Sequence, residues 1–126
     1  MMSLQQRLLF LEQRDLIDTE VRHWVLLVRA HFAKKWQLNV HTKQMGMLFI
    51  HLAMALGRIR RGYCANALDD SIFCEMESAV FFPQVLARHQ EMLQLLPLDI
   101  PFSEQTHLIA NLFSLALEQP QLLKTA

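Results

Sequence analysis

The chain has 126 residues, is 52% hydrophobic, and carries 12 Lys and Arg against 12 Asp and Glu. That length and apolar share suit a single domain with a real core. The zero formal charge argues against a broad attraction to nucleic acid or to a membrane surface, and only three glycines and four prolines exclude a loop-rich or disordered chain.

In chain order, Ser3 to Gln13 is predicted as a short amphipathic helix, with Leu4, Leu8 and Leu11 inward and Gln5, Arg7 and Glu12 outward. Arg14 to Ile17 reads as a connector. Asp18 is a good N-cap, with Glu20 in the first turn, for a helix running to about Trp36 with Val21, Trp24, Val25, Val28 and Phe32 on one side. Lys34 and Lys35 lie in its last turn. Gln37 to His41 is a polar turn, and Thr42 caps a helix that reaches Arg61, where Gly62 stands at the left-handed C′ position.

Tyr63 to Leu68 is a loop. Asp69 and Asp70 open a helix to about Ser78, and Pro83 suits the first turn of the next one, which stops before Pro97. Leu98 to Phe102 is an extended connector. Ser103 is expected to cap the last helix, with Glu104 in its first turn and Pro120 at its end. Five to six helices with short connections predict an all-α, compact bundle. No charged start precedes a secretory apolar region, and no run of about twenty apolar residues is free of charge. A cytoplasmic protein is therefore expected, with Cys64 and Cys74 as reduced thiols.

The central stretch is Phe49 to Gly62, FIHLAMALGRIRRG. Met45, Leu48, Phe49, Leu52, Leu56 and Ile59 fall on one helical stripe. His51 and Arg58 share the edge of that stripe, about 10 Å apart along the axis, with the small Ala55 between them. A group on His51 is thus expected near the Arg58 guanidinium. Read from its own surroundings, His51 suits a core histidine bonded to a neighbour equally well. Arg58, Arg60 and Arg61 read as a solvated helix end of favourable sign. Met47, Ile50 and Met54 lie off the main stripe and suit either a second buried face or a dimer surface.

No HExxH, CxxC, GxxxxGKS/T or GxGxxG motif occurs, and the spacing of His and Cys suggests no metal site. On the last helix Leu108, Ile109, Leu112, Phe113, Leu115 and Ala116 form the core side. Glu104, His107, Asn111 and Glu118 form a polar stripe. Such a stripe is ordinarily solvated, but it could meet His51 across a bundle.

The run His51-Leu52-Ala53-Met54-Ala55-Leu56-Gly57-Arg58, followed by Asn66-Ala67-Leu68, resembles the PTS regulation domain (PRD) family. That family has a histidine seven residues before an arginine in an apolar helix, then an Asn-Pro-Leu; here Ala67 replaces the proline. Its second signature is an acidic residue seven before a second histidine. Ser103 to Asn111, preceded by Leu98-Asp99-Ile100-Pro101, aligns with it: Glu104 matches the acidic residue, and Asn111 stands where the histidine belongs. The likeness covers about residues 18–119, with residues 1–17 as an additional N-terminal helix.

The resemblance implies a stand-alone regulatory module and not an enzyme, within a single domain spanning 1–126. PRDs are helical bundles, often homodimers, that take part in bacterial sugar sensing when HPr or a sugar-specific enzyme IIB phosphorylates their histidines. It makes His51 the phosphoacceptor candidate, with Arg58, Asn66, Glu104, His107 and Asn111 as phosphate-stabilising or pocket candidates. No cofactor or metal is implied, and neither direct nucleic-acid binding nor a membrane. The output would pass through a separate transcriptional regulator or antiterminator chain, since no output domain is recognised. The alternative is a degenerate PRD kept as a phosphorylation-independent dimerisation or interaction module.

Overall fold

The computed structural model describes residues 2–124. It contains six α-helices: α1 (Leu4–Gln13), α2 (Thr19–Lys34), α3 (Lys43–Arg60), α4 (Asp70–Glu77), α5 (Phe82–Leu93) and α6 (Phe102–Glu118), followed by a 3₁₀ turn, Pro120–Leu123. The all-α bundle expected from the periodicity is observed.

Local chemistry accounts for most of the ends. Ser3 and Gln6 form a reciprocal capping box at α1, and the side chains of Asp18, Thr42 and Asp69 accept from backbone N–H groups at the starts of α2, α3 and α4. Gly62, at φ +92°, closes α3: its N–H donates to Ile59 O, and Tyr63 N–H donates to Arg58 O. This is the paired-bond ending for which a glycine is favoured. Asp15 closes α1 by the same two-bond pattern without a glycine, at φ 59°.

The start of α6 differs from the expectation. Ser103 is not the cap. Pro101, with its φ fixed at −56°, occupies that position, and its carbonyl accepts from the Glu104 and Gln105 N–H groups, so Phe102 is already helical. Ser103 falls inside the first turn, with its hydroxyl 3.5 Å from Cys64 Sγ.

α3 and α6 form the centre. α3 packs on α1, α2 and α6, while α6 packs on α3, α4 and α5. One apolar cluster runs from Leu8 through Val21, Val25, Phe32, Phe49, Leu52, Val85 and Leu112 to Leu122. The α3 stripe is buried as its spacing predicts, apart from Ile59, which is half-buried. Among the described residues no helix is long and apolar enough to cross a membrane.

The arginines at the end of α3 are structural clamps. Arg60 Nη2 lies 2.9 Å from Glu20 Oε1 and 3.2 Å from Asp18 Oδ2, with its guanidinium over the Trp24 ring. Arg61 donates to the Leu16 carbonyl and to the Tyr63 hydroxyl. The connector after α1 is thereby drawn against α3 so closely that a Cβ on Gly57 would collide with the Leu16 carbonyl oxygen and crowd Ile17 Cγ2. Gly57→Ala is accordingly expected to destabilise by about 1–3 kcal/mol despite its better helix propensity. Urea unfolding checks this; an unchanged midpoint would show that the connector moves aside freely.

Candidate functional site

The turn at Gly62 sends the chain back past the end of α3, so residues 63–68 lie along the first turns of α6. Four side-chain interactions hold them there. Ala65 N–H donates to Glu104 Oε2 at 2.8 Å, and Leu68 N–H donates to Thr106 Oγ1 at 2.9 Å. His107 Nε2 lies 2.7 Å from the Asn66 carbonyl oxygen, and the fourth is the Ser103–Cys64 contact described above.

Between α3, this segment and α6 lies an open cleft of about 530 Å³. His51, Arg58, Glu104, His107 and Asn111 all line it. Five of the six residues singled out in the sequence therefore converge. The sixth, Asn66, is not among the lining residues; its side chain is exposed, and its contribution is the backbone carbonyl bonded to His107. Ala55 lies between His51 and Arg58 in the lining, as the helical spacing requires.

Arg58 and Glu104 form a two-bond fork, Nε to Oε2 at 2.8 Å and Nη2 to Oε1 at 2.9 Å. Glu104 is 0% exposed, whereas the Arg58 side chain is 26% exposed. Burial alone would push the Glu104 carboxyl upward. The Arg58 hydrogen bonds, the Ala65 N–H and the adjacent guanidinium charge outweigh it and hold the carboxyl below its ordinary value. Of the five guanidinium N–H donors, the fork uses two. The other three have no protein partner among the described residues.

His51 is exposed, which corrects the core-histidine alternative. Its Nδ1 lies 3.4 Å from Asn111 Oδ1. An amide oxygen only accepts, so this pairing needs the proton on Nδ1 and leaves the lone pair on Nε2. The same logic applies to His107, whose Nε2–H faces a carbonyl and whose Nδ1 is left free.

The expected solvated stripe on α6 is thus divided. Glu104, His107 and Asn111 face the cleft, while Glu118 is exposed and accepts from the Thr42 hydroxyl at 3.0 Å. Sequence reasoning missed Ala65 and Thr106, which position the loop; a backbone donor carries no side-chain signal, and the Thr106 hydroxyl acts only once the loop has folded back. It also missed His89, the histidine that does lie in the core. His89 is 0% exposed, with Nε2 3.0 Å from Gln105 Oε1 and Nδ1 without a partner.

These features define a helical protein with a cleft that joins an exposed imidazole to a carboxylate-held arginine. No family model matches the chain, and no solved structure matches it. A Haemophilus influenzae (strain ATCC 51907 / DSM 11121 / KW20 / Rd) protein bearing the name "Uncharacterized protein" is 45% identical over 109 residues, covering 86% of this chain and 87% of that protein. "Uncharacterized protein YhfY" of Escherichia coli (strain K12) is 29% identical over 112 residues, covering 89% and 93%. The chain belongs to the family of the Haemophilus influenzae protein.

Proposed function

We infer that this chain is a cytoplasmic, stand-alone PRD-like regulatory module, in which His51 accepts a phosphoryl group and Arg58 helps to hold it. The observation that carries the reading is the meeting, in one cleft, of the exposed His51, the oriented Asn111 and an Arg58 with donors to spare. In the proposed step, His51 Nε2 attacks the phosphorus of a phosphorylated histidine on HPr, or of the phosphorylated residue of an enzyme IIB. A P–N bond forms at His51 as the donor's bond to phosphorus breaks, and the donor leaves with that electron pair. The product carries roughly two negative charges, which the remaining Arg58 N–H groups can meet with charge-assisted bonds.

The module is an acceptor and not an enzyme in this reading, and its output passes to a separate regulator chain. A homodimer belongs to the same proposal. Met47 is 46% exposed and Met54 lines the cleft, so the apolar strip on α3 reaches the proposed acceptor and a charge there can bias assembly.

The alternative of a phosphorylation-independent interaction module draws on two observations. Asn111 replaces the second acceptor, and Arg58 is already engaged by Glu104. Incubation with phosphoenolpyruvate, enzyme I, HPr and enzyme IIB components separates the two readings. Acid-labile phosphate, measured by intact mass, is expected in the wild type and absent from His51→Ala. No label from any donor refutes the acceptor role and leaves the interaction module. Sedimentation of the same samples tests the dimer.

A further inference from the structure

A phosphoryl group on His51 would fill only a small part of a cleft of about 530 Å³, a volume typical of small-molecule sites. The rest of the lining is apolar and comes from three parts of the fold: Met54 and Ala55 of α3, Leu68 of the returning loop, and Leu108 of α6. Beside this surface stands Arg58. A guanidinium has two edges that can each grip an oxyanion, one through Nε and a neighbouring Nη, the other through the two Nη groups. Glu104 occupies the first through Nε and Nη2. The second edge has no protein partner among the described residues, on a side chain that lines the cleft and is 26% exposed.

The Glu104 carboxylate does not defeat a second anion. It belongs to the cleft lining, but it is 0% exposed and its charge is met by the Arg58 fork and the Ala65 N–H. By fixing the guanidinium plane it spares an incoming ligand the cost of ordering a long flexible side chain. The Asn111 amide, whose oxygen accepts from His51, has its NH2 group as a further donor among the residues lining the cleft.

We propose that the cleft is a binding site for a small organic oxyanion with an apolar body. The phosphate or carboxylate group sits on the free edge of Arg58, and the body lies over Met54, Ala55, Leu68 and Leu108. This role needs no phosphoryl transfer: a free metabolite of that class would act as an effector at the same place where the acceptor reading puts the phosphohistidine. Glu104 is then a positioning residue that fixes the Arg58 guanidinium by one edge and leaves the other for a ligand.

Phenyl phosphate is the probe, added to unphosphorylated full-length protein and followed by two-dimensional amide NMR. No phosphoryl donor is present, so the result is independent of whether His51 can be labelled. The Ala65 and Leu68 amides are expected to shift saturably, with a Kd of about 1 mM or tighter and at least about tenfold below that of inorganic phosphate or phenol. Benzoate serves as the carboxylate arm. Binding like that of phenyl phosphate shows that a planar oxyanion suffices, and weaker binding shows that the site wants a tetrahedral one; either supports the site. Arg58→Lys keeps the charge but, with its ammonium drawn to Glu104, has no second edge, and it should weaken binding about tenfold or more. Met54→Glu does the same by charge repulsion without touching the fork, which covers the case of an Arg58 variant that folds poorly. The proposal is overturned by a lack of saturation at about 10 mM, by phenol binding as well as phenyl phosphate, or by Met54→Glu leaving the titration unchanged.

Discussion

Arg58→Met is expected to lower the stability of the fold by about 3–5 kcal/mol at neutral pH, the range for stranding one charge of a buried pair. Glu104 is 0% exposed and would keep only the Ala65 N–H as a partner. The distinguishing signature is its pH dependence. In the wild type the Glu104 carboxyl is held below its ordinary value of 4.5. The pair's contribution is therefore fully present above the unfolded value and is lost as pH falls through the folded one. Without Arg58, burial dominates and the folded carboxyl titrates above the unfolded one. The variant then regains stability as it takes up a proton, and its deficit against wild type narrows as pH falls from neutrality toward the ordinary carboxylate value. Arg58→Met/Glu104→Gln removes the stranded charge while retaining an acceptor for Ala65, and most of the loss should return. Urea unfolding at several pH values measures all of this. A deficit independent of pH would show that Glu104 is not the stranded group.

The second large effect comes from a histidine with no part in the cleft. His89 lies wholly inside, with one ring nitrogen bonded to Gln105 and the other facing no partner. Burial pushes its pKa below the ordinary 6.5, against a smaller opposing effect of the Gln105 bond. The neutral ring is the one the fold accepts. His89 therefore supports folding fully above about pH 6.5, and this support is withdrawn as pH falls from there toward the depressed folded value. For one proton the slope approaches about 1.4 kcal/mol per pH unit. His89→Leu should cost about 1 kcal/mol near pH 7.5, through the Gln105 bond, and should flatten this acid slope. Equal slopes in the two proteins would assign the acid sensitivity to other groups.

These two residues also mark how far the site could be read from the chain. His51, Ala55 and Arg58 are related by helical spacing alone, and the structure puts all three in the cleft. Glu104, His107 and Asn111 are likewise one face of one helix. What spacing cannot supply is the rotation of α6 against α3, which decides whether Glu104 meets water or a guanidinium; that depends on the whole core. The return of the chain at Gly62 was legible as a helix end, but its destination was not, because the bonds holding it involve backbone groups of Ala65, Asn66 and Leu68. His89 escaped notice for the converse reason. Alone on an otherwise apolar face of α5, it offers no pattern, and only packing reveals that it is enclosed.

The folded-back segment has a further consequence. Residues 63–68 belong to no helix, and their links to α6 fall within a single stretch from Ser103 to His107. These links are joined by Leu68, which packs against the core. The cleft thus has two walls of regular helix and a third of irregular chain, whose backbone N–H and carbonyl groups are met by side chains of α6. A substitution at Glu104, Thr106 or His107 would therefore reach the third wall as well as the helix that carries it, because each of these side chains serves both.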